Sequence, residues 1–90
     1  MLIEPVKPVA VVIKFGQNKY DCQMISLSQT VLELCCHDYL EKDSKVLFIA
    51  QFFRGKAVIH EIKFNKDQFI YKLAIEEIQF QPGLLIDTSL

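Results

Sequence analysis

Apolar and polar residues alternate with a period of two along almost the whole chain, and the rhythm breaks roughly every ten residues at turn-forming clusters. Side chains that repeat every second residue share one side of an extended backbone, so this pattern commits the chain to strands. Val9, Val11, Ile13 and Phe15 fall on one face of the first segment. Gly16-Gln17-Asn18 breaks it, and Tyr20, Cys22 and Met24 then resume the inward positions. The two segments read as a hairpin. "TVLELCCHDYL" gives a third strand, and "KVLFIAQFF", after the charged turn Glu41 to Ser44, gives a fourth. Arg54-Gly55 reads as the next turn. "KAVIHEIKF" follows with Val58, His60, Ile62 and Phe64 in line, and "QFIYKLAIEEI" with Phe69, Tyr71, Leu73 and Ile75. Six short strands joined by tight turns predict an all-β fold, a small six-stranded antiparallel barrel. The spacing in "YKLAIEEIQ" also allows a short C-terminal helix, and "QPGLLIDTSL" is the tail.

Ninety residues make a single domain, 1–90, small enough for an obligate partner to matter to its stability. Ten Lys and Arg against eleven Asp and Glu leave a net charge of −1, and Arg54 is the only arginine. A phosphate-neutralising nucleic-acid binder needs a basic face, so nucleic acid is not the favoured partner. The N-terminus lacks a basic n-region and cleavage site, and no apolar run approaches the ~18 residues of a membrane span. Met1 is taken as a natural start. The three cysteines, Cys22, Cys35 and Cys36, are an odd set with two neighbours, which fits reduced thiols and a cytoplasmic location.

The order of segments, from "FGQNKYDCQ" through "ISLSQTVLEL" and "LFIAQFFRGKAVIHEIKF" to "QFIYKLAIEEIQ", resembles the PilZ domain, a small bacterial β-barrel that binds cyclic di-GMP. In that family the second-to-third-strand step carries a D/N-x-S-x-x-G motif, and an R-x-x-x-R motif precedes the first strand. Here Ser26 matches the serine, Met24 stands at the acid or amide position, and Gln29 stands at the glycine. "MLIEPVKPV" contains no arginine. Paired guanidiniums grip phosphates and stack on guanine, which Lys7 alone cannot do. Methionine accepts no hydrogen bond from a guanine edge, and glutamine resists the left-handed backbone that glycine allows. The resemblance therefore implies a degenerate member that does not bind cyclic di-GMP in the standard way. Family members of that kind are associated with protein interaction.

Other candidates carry less. Cys35 and Cys36 point to opposite faces of a strand, so they cannot share a metal ion, and no C-x-x-C spacing is present. No nucleophile elbow or spaced acid pair marks an enzyme. Neither a metal, a cofactor nor a catalytic residue is assigned. Arg54 and Lys56 flank Gly55 as the best anion-contacting pair, against the plainer reading of a solvated hairpin tip.

The apolar surplus is more telling. "VLFIAQFF" is hydrophobic at both parities, whereas one face per strand suffices for a barrel core. The rest needs a cover, either the tail or another protein. Phe52, Phe53, Leu84, Leu85 and Ile86 are the expected contact residues. The expectation is a non-catalytic PilZ-like regulatory module, acting by protein contact or self-association. A nucleotide receptor using Ser26, Gln29 and Arg54 is the alternative, and a small-barrel binder of single-stranded nucleic acid is a third.

Overall fold

A computed structural model describes residues 2–80. Seven strands form: β1 (Leu2–Ile3), β2 (Ala10–Phe15), β3 (Asn18–Ser28), β4 (Val31–Cys36), β5 (Lys45–Ala50), β6 (Phe53–Asn65) and β7 (Gln68–Phe80). All pairings are antiparallel, and they run in a ring: β2 to β3, β3 to β4, β4 to β7, β7 to β6, β6 to β5 and β5 back to β2. The result is a closed six-stranded barrel, as the alternation predicts. The extra strand, β1, lies along β3 at Leu27 and Ser28, where β2 no longer flanks it. Among the described residues there is no helix, so none is long and apolar enough to cross a membrane.

Closure gives every strand one buried face. Val11, Ile13, Cys22, Phe48, Phe53, Tyr71 and Leu73 are buried, with Tyr20, Phe69 and Ile75 packed against them. Each large side chain so buried contributes roughly 1.5–3 kcal/mol. No polar or charged residue is buried among those described.

Three one-residue bulges break the alternation. Ile25 is extra on β3, His60 on β6 and Glu76 on β7, as the register steps show. Each leaves inward side chains three positions apart: Met24 and Leu27, Ile59 and Ile62, Ile75 and Ile78. The β6 bulge corrects the expected inward set before Ile62: Ala57 and Ile59 are buried and His60 is exposed. Phe64 keeps the phase of Ile62 but is exposed, near the end of the β6–β7 hairpin against Phe69. The β7 bulge explains why "YKLAIEEIQ" reads as helical. Its three-residue apolar step comes from Glu76, and the ladder to β6 continues to Phe53↔Phe80. The expected tail contacts Leu84, Leu85 and Ile86 lie outside the described residues.

The turns follow local chemistry. Gly16 takes φ 63° in the two-residue β2–β3 loop. Lys66 and Asp67 close the β6–β7 hairpin with φ of 51° and 67°. Left-handed backbone at both central positions favours Asn-Gly. Lys66→Asn with Asp67→Gly is therefore expected to raise stability by about 1 kcal/mol, read as a higher denaturation midpoint. An unchanged midpoint would show that the turn carries no such strain.

Candidate functional site

The sequence-derived ligand set does not converge. Ser26 lies within β3, just past the bulge, with its hydroxyl donating to Glu33 Oε1 at 3.3 Å. Gln29 sits in the β3–β4 turn and is not among the left-handed residues. That turn is organised by Ser28, whose Oγ accepts from the Thr30 and Val31 amides at 3.3 and 3.0 Å. Arg54 is on β6, three strands round the ring from β3 in either direction. Ser26 and Arg54 therefore occupy opposite sides of the barrel. Arg54-Gly55 is not a turn. The chain reverses at Gln51 and Phe52, and Arg54 is already paired with Ile49 and Gln79.

Of the expected aromatic contacts, Phe53 is fully buried, because it faces inward between Phe48, Phe52 and Phe80. Phe52 is half-buried against the same cluster. The surplus apolar surface lies instead at the other parity of β5. Val46, Phe48 and Ala50 point inward, and Leu47 and Ile49 point outward, 42% and 41% exposed.

The register builds a surface around these two residues. Val12, Ile49, Arg54 and Gln79 form one row across β2, β5, β6 and β7. Lys14, Leu47, Lys56 and Glu77 form the next row. Between β5 and β7 this face dips into a groove of about 350 Å³, lined by Leu47, Ile49, Arg54, Lys56, Glu77 and Gln79 among others. A second depression beside it is bordered by Lys14, Lys45 and Lys56. The face thus has an aliphatic centre flanked by four cations, Lys14, Lys45, Arg54 and Lys56, with Glu76 and Glu77 on its β7 side. Lys56 is loosely paired with Glu77 at 3.9 Å, both exposed, a bond worth little in water.

This arrangement escaped sequence reading because both parities of "VLFIA" are apolar, and only cross-strand register shows which one faces out. The register-matched lysines on β2 and β6 had no sequence signal of their own. On the opposite side, Cys35 points outward and Cys36 inward, as alternation requires. Among the described residues no cluster of three or more potential metal ligands is assembled. Compared with models of known protein families and with curated proteins, the chain matches none.

Proposed function

We propose that the domain is a non-catalytic, PilZ-like interaction module of the bacterial cytoplasm, working through the outer face of β2, β5, β6 and β7. The observation that carries this reading is the pair of register-matched rows, which sets Leu47 and Ile49 beside four cations, with Glu76 and Glu77 confined to the β7 side. Exposed aliphatic side chains gain by burial, and cations at the rim select partners carrying carboxylates. The fitting partner is a protein segment with apolar anchors flanked by Asp or Glu. Its binding weakens as salt rises. A single-stranded nucleic-acid site would want aromatic stacking platforms among the cations, and the residues between them here are aliphatic. The six-stranded ring is the architecture that a PilZ resemblance implies. The separation of Ser26 from Arg54 supports a protein-contact role over a nucleotide receptor.

A photoreactive residue at position 47 or 49 is expected to give a discrete protein adduct in the producing cells. The adduct is lost when Arg54→Glu and Lys56→Glu are combined, and position 33 on β4 gives none. In a parallel titration with cyclic di-GMP, the amide resonances of Ser26 to Val31 stay where they are. Saturable shifts there that Ser26→Ala removes, with no adduct from 47 or 49, would replace this reading with a nucleotide receptor.

A further inference from the structure

On the far side of the barrel from the cationic face, two of the three cysteines meet. Cys22 and Cys36 are directly opposed on β3 and β4, both facing inward. Directly opposed residues of an antiparallel pair have Cα atoms about 4.5–5.5 Å apart, inside the range that a disulfide spans. Their rung is the last of the β3–β4 ladder, and Cys36 is the final residue of β4, where the connection to β5 begins. Beyond it, the Asp38 amide donates to Cys36 Sγ at 3.4 Å, a donor that favours a thiolate, while the Asp21 carbonyl at 3.6 Å and Asp38 Oδ2 at 3.9 Å accept from the thiol and oppose it. Cys35, one residue away, points outward and cannot join.

We infer that Cys22 and Cys36 form a two-electron oxidation site for small hydroperoxides, closing to a cross-strand disulfide. The Cys36 thiolate attacks one peroxide oxygen. An S–O bond forms, the O–O bond breaks, and the departing alkoxide or hydroxide takes up a proton. Cys36 is now a sulfenic acid. The Cys22 sulfur then attacks Cys36 sulfur, an S–S bond forms, and hydroxide leaves with the Cys22 proton as water. The peroxide is reduced and two thiols are oxidised. Asymmetry between the thiols sets their order. The neighbouring Cys22 thiol, with the Asp38 amide, draws Cys36 down to about 7 against its burial and the Asp38 carboxylate. The neighbouring Cys36 and burial push Cys22 up, and its thiol donates to the Tyr20 carbonyl, so Cys36 ionises first. Once Cys36 is oxidised its thiolate is gone, and so is that hold on Cys22. Cys22 is only 5% and Cys36 only 2% exposed, which restricts the oxidant to a small molecule.

The test treats the reduced, full chain with hydrogen peroxide. Free thiols are expected to fall from three to one, with the intact mass lower by two hydrogens and a Cys22–Cys36 peptide recovered on mapping. Cys35→Ser keeps the internal bridge, its free thiols falling from two to none, and Cys22→Ala leaves a sulfenic acid on Cys36 that a cyclic dione traps. Three intact thiols under peroxide that consumes free cysteine would overturn the inference. So would Cys35-linked dimers in place of the internal bridge. Mapping the parent chain decides the matter even if a variant fails to fold.

Discussion

Gly55→Ala is expected to lower the denaturation midpoint of the barrel more than any other single methyl addition. Gly55 faces the core on β6, with Phe48 its register partner on β5. A Cβ there would overlap the Glu77 carbonyl oxygen and lie 2.8 Å from Phe48 Cζ. The ring end could swing aside, but the carbonyl belongs to the ladder and cannot move without breaking the β6–β7 register. Overpacking of this kind costs about 3 kcal/mol or more, against roughly 5–10 kcal/mol of total stability for a domain of this size. Gly55→Val adds two further methyl groups and is expected not to fold. Gly16→Asn is the matched control. Gly16 has a left-handed φ but nothing within 4 Å of its missing Cβ, and asparagine tolerates that backbone. Equal midpoints for Gly55→Ala and the parent would show that the close approach is not what the site requires.

The second large effect is at Tyr71. Its hydroxyl donates to the Asp38 carbonyl and accepts from the Leu40 amide, each at 2.7 Å, and so fastens the connection after β4 to the barrel. The ring is buried in the core and Leu40 is buried beside it. Tyr71→Phe keeps the packing but leaves a donor and an acceptor without partners, which costs about 2–4 kcal/mol. Burial also pushes the phenol up to about 12 from its ordinary 10, against the pull of the Leu40 amide. Because the folded value is the higher one, the neutral phenol's contribution is complete below pH 10 and disappears as pH rises toward 12. Urea midpoints are expected to fall more steeply over that window in the parent than in Tyr71→Phe. Parallel slopes would mean that ionisation of Tyr71 is not coupled to folding.

The six barrel strands, the turns at Gly16 and at Lys66-Asp67 and most of the core are legible, because they depend on local alternation, whereas β1 and the turn at Gln51 and Phe52 are not. Tyr71 and Leu73 announce their burial by spacing alone. His60 does not, since a bulge is a tertiary event with no residue type of its own, and the inward phase read from Ile62 was carried backward across it. Phe53 was misread for a related reason. An aromatic pair at the end of an apolar run looks like surplus until the turn at Gln51 and Phe52 shows that a new strand begins there. The cationic face was half legible. "VLFIA" declared too much apolar surface, yet Lys14, Lys45, Arg54 and Lys56 come together only through pairings between segments far apart in sequence. The Cys22–Cys36 rung is hidden in the same way, because spacing alone made Cys35 and Cys36 the conspicuous pair.

The three bulges also make this barrel's strands behave like text with a two-letter reading frame. Ile25, His60 and Glu76 each shift that frame by one position, and the residues beyond them are written in the shifted frame. Deleting any one of them leaves the residues beyond it on their present faces: without Ile25, Met24 stays inward, Ser26 outward and Leu27 inward, and the ladder to β4 becomes regular. Deleting a regularly paired residue such as Leu73 instead exchanges the inner and outer faces of the rest of its strand. Such deletions are frameshifts in the protein itself, whereas each bulge has one residue to lose and the connection between Cys36 and Lys45 has no frame at all. Among lineages descended from such a chain, length variation is expected to accumulate at the bulges and in that connection and to be purged from the regularly paired positions.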